Sequence, residues 1–147
     1  MTLRLARPDE RAALTALQRQ ASLMWEEDRD ALLAEPDAID LPADQIAEGH
    51  VFVWEEAGAV LGFAVVLPRD DGAAELDGLF VEPDAWGRGI GRKLVDHAMD
   101  MARDEGCISL NVVANKRALG FYLACGFEAL GEVQTRFSPG VRMVRVL

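Results

Sequence analysis

Apolar and polar positions alternate over residues 2–6 (TLRLA), which predicts a short first strand. Pro8 and Asp9 then form a helix start, and Ala12, Leu14, Leu17, Ala21 and Met24 follow at helical spacing. Residues 26–50 are richer in acid, and Pro36 and Pro42 break them into short helical pieces. Two apolar runs, VFVWEE (51–56) and VLGFAVVL (60–67), are joined through Ala57-Gly58-Ala59 and read as an antiparallel hairpin. After the turn Arg69-Asp70-Asp71-Gly72, AAELDGLFV (73–81) returns as a strand. From Arg88 to Glu105 the period is helical, with Ile90, Leu94, Ala98, Met101 and Ala102 on one face and Gly106 as the stop. A buried strand, CISLNVVA (107–114), precedes a short helix from Lys116 to Ala124 that ends at Gly126-Phe127. Strands over 128–137 and 141–147 close the chain. The order β-α-α-β-β-β-α-β-α-β-β predicts an α/β fold, a mixed and mostly antiparallel sheet with helices on both faces.

The 147 residues fit one domain, expected to span 1–147, and half of them are hydrophobic, as in a globular chain. The formal net charge of -10 opposes nucleic acid and anionic membranes as partners and favours a cationic one. No apolar stretch approaches the roughly 20 residues that span a bilayer. The N-terminal MTLRLARPDERAAL lacks the apolar core of a signal peptide. Cys107 and Cys125 sit in apolar segments without metal-like spacing, and His50 and His97 stand apart from them. Free thiols, a cytoplasmic location and no metal site are the expectations.

Within this acidic chain, WGRGIGRKL (86–94) sets Arg88, Arg92 and Lys93 among Gly87, Gly89 and Gly91. A strand that runs into a helix through such a turn exposes backbone N–H groups at the helix N-terminus, where the helix dipole favours an anion. Glycine lets the backbone approach that anion closely, and Arg88 and Arg92 can add contacts from the rim. A tight packing turn would need glycines too. The P-loop is excluded because Arg92-Lys93 runs on into Leu94. The dinucleotide fingerprint is opposed by the G-x-G-x-G spacing and by a next strand that ends Ala114-Asn115.

LFVEPDAWGRGIGRKLVDHA followed by NKRALGFYLACGF resembles the two cofactor-binding blocks of the GNAT superfamily of acyl-CoA N-acyltransferases. The family pattern Gln/Arg-x-x-Gly-x-Gly/Ala is read as Trp86-Gly87-Arg88-Gly89-Ile90-Gly91, with Trp86 where Gln or Arg is usual. Asn115 precedes Tyr122 at the family's Asn-x(6)-Tyr-x(3)-Gly-Phe spacing, which ends at Gly126-Phe127. The resemblance covers residues 73–130.

That resemblance implies acetyl-CoA as cosubstrate. Its pyrophosphate would meet the amides of Gly87, Arg88, Gly89, Ile90, Gly91 and Arg92. Its pantetheine arm would add to the edge of Leu79, Phe80 and Val81 and bond to Asn115, a residue that also suits capping of the following helix. The Leu79 N–H would stabilise the oxyanion. Tyr122 would protonate the departing thiolate. Glu75 and Asp77 share one strand face and are the candidate bases. The branch that carries a glutamate five residues before the Asn has Leu110 at that position here, so its mechanism is not supported.

Trp25, Trp54 and Phe63 are candidates for an acceptor pocket or for core, and Glu26, Glu27 and Asp28 for a cation-attracting rim or a solvated face. The expected activity is direct acetyl transfer, through a ternary complex, to a primary amine of a small or peptidic acceptor, with a small cationic amine as the favoured one. The alternative is a CoA-binding sensor that has lost catalysis, against which Tyr122 and the two carboxylates argue. Monomer and homodimer both stay open.

Overall fold

The computed structural model describes residues 1–24, 41–134 and 139–147. Its strands are β1 (Thr2–Leu5), β2 (Val51–Glu56), β3 (Ala59–Pro68), β4 (Ala74–Val81), β5 (Ser109–Asn115), β6 (Glu128–Gln134) and β7 (Pro139–Val146). Its helices are α1 (Arg11–Leu23), α2 (Ala43–Ala47), α3 (Ile90–Asp104) and α4 (Leu119–Ala124). The strands form one seven-stranded sheet in the order β1-β2-β3-β4-β5-β7-β6. β4 and β5 are parallel, while β1 with β2, β2 with β3, β5 with β7 and β6 with β7 are antiparallel. The mixed α/β class read from the pattern is the one observed.

The chain folds as two compact units, Met1–Val65 with Gly78–Leu94, and Val66–Asp77 with Val95–Leu147. In the first, Val51, Phe52, Val53 and Trp54 are all buried, as are Leu14, Leu17 and Ala21 along α1. The hairpin of β2 and β3 pairs Val51 with Val65 and Trp54 with Gly62. Trp54 and Phe63 are buried in the core, the Phe63 and Phe80 rings tilted towards each other with centroids 5.4 Å apart. Trp25, Glu26, Glu27 and Asp28 lie outside the described residues.

At the start of the first unit, the Arg4 guanidinium bonds to Glu10 at 2.8 Å and to Glu55 at 2.6 Å. The hydrogen bond from Arg4, joined by the Arg7 N–H, holds the Glu10 carboxyl down to about 2. A depressed carboxyl stabilises the fold above its unfolded pKa, and that contribution is lost as pH falls from about 4.5 towards 2. Solvent reaches this pair, so its worth is ~1 kcal/mol. Urea unfolding of Glu10→Gln should show a deficit of ~1 kcal/mol at neutral pH that vanishes at the acid end of that window. A deficit independent of pH would contradict the ion-pair account.

In the second unit, Leu110, Val112 and Ala114 of β5 alternate inward, and β7 pairs along β5 from Ser109 with Val146 to Asn115 with Gly140. Val95, Ala98, Met99 and Ala102 are the buried stripe of α3. The helix closes at Gly106, with the Cys107 N–H donating back to the Ala102 carbonyl at 2.9 Å.

Candidate functional site

The first unit carries the glycine turn. β4 ends at Val81, Pro83–Ala85 makes one 3-10 turn, and Trp86 leads into Gly87 and Gly89, whose φ values are +83° and +79°. A side chain strains that left-handed backbone, so glycine is required there by conformation. It is not required by crowding: a Cβ at either position would meet nothing within 4 Å among the described residues. The turn is therefore open on its outer side, unlike a tight packing turn. Lys93 N–H to Gly89 O, at 3.2 Å, is the backbone bond one turn into α3. The amides of Ile90, Gly91 and Arg92 precede it and point out of the helix end, where the dipole is positive. A helix end of this kind, with outward amides and glycines in the turn before it, suits an anion.

Close packing is the task of a different glycine. A methyl on Gly62 of β3 would meet Phe80 O at 3.0 Å and Leu94 Cδ1 at 3.1 Å, so its absence lets the first turn of α3 seat against β3. Lys93 adds a contact on the same turn, its Nζ 5.4 Å from the Trp54 ring centroid.

Backbone parity fixes which groups of β4 are exposed on its other edge. Phe80 O faces Gly62 of β3, and the Glu82 N–H donates to Leu61 O at 2.8 Å. Successive peptides alternate in direction, so the N–H and C=O groups of Leu79 and Val81 point away from β3. Leu79, Phe80 and Val81 are half-buried. The Trp86 indole Nε1 donates to Val81 O at 2.8 Å.

Arg88, expected at the rim of the anion site, bridges both oxygens of Glu56 at 2.9 and 2.7 Å. That guanidinium lowers the Glu56 carboxyl pKa. Arg92 is exposed. Nothing local in the sequence marks the Arg88–Glu56 pair, whose members are separated by 32 residues.

The second unit carries the carboxylates, Asn115 and Tyr122. Ala74 and Leu76 are buried, while Glu75 is half-buried and Asp77 exposed, so the two acids share the opposite face of β4. Ala74 pairs with Leu110 and Glu75 with Asn111; within this unit Leu76 and Asp77 take no partner on β5. Asn111, which sequence reasoning passed over, bonds through Nδ2 to Ala74 O and to Ser109 Oγ, both at 3.2 Å. Its signal was an amide in the middle of a largely apolar strand.

Asn115 ends β5, and its Oδ1 accepts the Ala118 N–H at 2.9 Å, capping the 3-10 turn Lys116–Ala118 that leads into α4. The capping role read for this residue is thus in place. Tyr122 is buried on α4, edge-on to Phe121 at 5.0 Å and to Phe127 at 5.4 Å. Gly126, with φ of +90°, reverses the chain so that the Phe127 N–H returns to Tyr122 O at 3.0 Å. The Gly-Phe ending is in this way the device that clamps the tyrosine ring. Burial, reinforced by the nearby Cys125, pushes the Tyr122 phenol well above the ordinary tyrosine range.

Among the described residues no group of three or more His, Cys, Asp and Glu side chains could hold a metal ion. No described helix is long and apolar enough to cross a membrane.

Comparison with known proteins bears on this arrangement. Peptidyl-lysine N-acetyltransferase YjaB of Escherichia coli K12 is 44% identical over 57 residues, covering 38% of this chain and 37% of that protein. The chain thus matches well under two thirds of that relative's length. Aminoglycoside N(6')-acetyltransferase type 1 of Stenotrophomonas maltophilia is 35% identical over 111 residues, 63% of this chain and 72% of that one. PaiA N-acetyltransferase from Thermoplasma acidophilum, solved in complex with coenzyme A, shares the fold at a TM-score of 0.82 and 15% identity, covering 99% of this chain and 98% of its own. The model of the Acetyltransferase (GNAT) family matches residues 14–127, a span that takes in both the open glycine turn and the Asn-Tyr-Gly-Phe block, and the chain belongs to that family.

Proposed function

We propose that this chain transfers an acetyl group from acetyl-CoA directly to an amine. The observation that carries the reading is the open glycine turn at the head of α3, preceded in the same unit by a strand edge with outward amides. In this reading the amides from Gly87 to Arg92 bind the pyrophosphate, and Leu79 and Val81 receive the pantetheine arm by strand addition. When bound, acetyl-CoA supplies the activated acetyl group. The Leu79 N–H stabilises negative charge that develops on the acetyl carbonyl oxygen.

Asn115 engages Oδ1 in its cap, which leaves the Nδ2 amide as the donor to the arm. Tyr122 donates its proton to the departing thiolate. Its raised pKa keeps that proton in place throughout the neutral range. Glu75 or Asp77 removes the proton of the attacking ammonium, directly or through water, because only the neutral amine attacks. Calorimetric titration with acetyl-CoA tests the cosubstrate. Binding should release or absorb heat and raise the melting temperature, as any native-state ligand does. A titration with neither effect removes the reading.

The acceptor we assign is a small cationic amine. The net charge of -10 and the run Glu26-Glu27-Asp28 would draw such a molecule by steering. The relatives named for peptidyl-lysine and aminoglycoside acetylation act, by those names, on amines that are cations in water. In a panel of amines, polyamines, amino sugars and basic amino acids should outrun neutral and anionic acceptors. The advantage should shrink as salt rises, since screening acts over ~8 Å at physiological ionic strength. Faster turnover of anionic amines would reverse the assignment and leave acetyl transfer standing.

A further inference from the structure

The Trp86 indole occupies the last outward acceptor of the β4 edge, because Nε1 donates to Val81 O at 2.8 Å. Of residues 79 and 81, that edge then offers two donors, the Leu79 and Val81 N–H groups, and one acceptor, Leu79 O. The indole lies on the outward side of β4, where an added strand would run. It is 40% exposed although its donor is engaged, so a broad aromatic surface still meets solvent. Its backbone is held as well: the Trp86 N–H donates to Pro83 O at 3.2 Å, and Gly87 follows directly with the first left-handed turn of the cradle. Trp86 thus stands at the junction between the strand edge and the phosphate turn, fixed to the first and continuous with the second.

Coenzyme A has a matching order of parts. Two amides suited to a strand edge lead from the thiol, a branched apolar pantoyl group follows, and then comes the pyrophosphate. If the amides lie on Leu79 and Val81 and the pyrophosphate on the glycine turn, the branched apolar group falls at the residue between them. We propose that Trp86 is a ligand-contact and positioning residue, whose indole face packs against the pantoyl segment while its N–H closes Val81 O and fixes the register of the arm. This rests on the acetyl-CoA reading above and gives a specific contact to the one residue of the glycine block that departs from the family pattern. The tether stops an arm from sliding one step along β4, because a donor that moved forward would run into the indole held at Val81 O. The aromatic face also favours the branched methyl groups over water.

The test uses the whole protein with CoA and with ADP, which has the pyrophosphate but no pantoyl arm, as calorimetric probes. Trp86→Ala should weaken CoA by about tenfold and leave ADP within about twofold. Trp86→Phe keeps a ring and should hold CoA within about threefold, and it stands in if the alanine variant fails to fold. Tryptophan emission should change as CoA is added to the wild-type protein. That change should disappear in Trp86→Phe, although Trp25 and Trp54 remain. Equal losses for CoA and ADP in Trp86→Ala would reduce the residue to a support of the turn and overturn the contact. Unchanged CoA affinity in Trp86→Ala, or an undiminished emission change in Trp86→Phe, would overturn it too. A wild-type protein that binds no CoA would overturn the acetyl-CoA reading and this inference with it.

Discussion

Gly89→Val should abolish acetyl-CoA binding in a protein that still folds. Two separate consequences lead to that outcome. At φ of +79° a β-branched residue is strained, at a cost of ~1–3 kcal/mol, which lowers the melting temperature by several degrees without unfolding a stable chain. Its side chain would also enter the open space beside the first amides of α3, the space assigned to the pyrophosphate. Loss of those charge-assisted bonds should weaken binding by more than about a hundredfold in a calorimetric titration. Gly89→Ala carries much of the strain with only one added carbon, so comparing the two separates strain from occupation. A Gly89→Val protein that binds acetyl-CoA at wild-type affinity would move the cradle elsewhere.

Tyr122→Phe should lower turnover by ~10²–10⁴ and leave acetyl-CoA affinity unchanged. The substitution keeps the ring that lies edge-on to Phe121 and Phe127 and removes only the phenolic hydroxyl. Burial raises the phenol pKa, so the donor keeps its proton beyond the pH at which an ordinary tyrosine, near ~10, begins to ionise. The wild-type rate should therefore show no alkaline decline from this group below that point. Steady-state kinetics across pH checks both statements. Full turnover in Tyr122→Phe would leave the residue a packing role only. Glu75→Gln and Asp77→Asn rank the two bases in the same assay, the true one losing most at low pH.

Local chemistry made most of this fold legible. Among the described residues the period-two and helical patterns predicted the strands and helices in their observed order, and β2 has the predicted bounds, Val51–Glu56; the helical pieces expected before residue 41 and the end of the strand expected over 128–137 lie outside the described residues. At two boundaries that moved, specific bonds account for the shift. The strand predicted over 107–114 runs from Ser109 to Asn115, because the Cys107 N–H completes the end of α3 and the Ile108 N–H bonds to Gly72 O at 2.9 Å. The helix predicted from Lys116 begins as a 3-10 turn, tightened by the Asn115 cap, and becomes α-helical at Leu119. The glycine turn was legible because its requirement is local, a left-handed backbone before a helix. Four features of the site were not. Gly62 against Phe80 and Leu94, Arg88 on Glu56 and Asn111 on Ala74 depend on which segments the sheet brings side by side, and Trp86 on Val81, five residues apart, depends on how the 3-10 turn after β4 folds back, which no spacing pattern encodes.

The most direct test of the central claim is product formation. The protein is mixed with acetyl-CoA and a cationic amine, and free CoA thiol and acceptor mass are followed in the same reaction. Acetyl transfer predicts thiol released in step with N-acetylated amine, both suppressed in Tyr122→Phe. A protein that binds acetyl-CoA yet releases no thiol above background with any amine in the panel would contradict the enzyme and favour a CoA sensor.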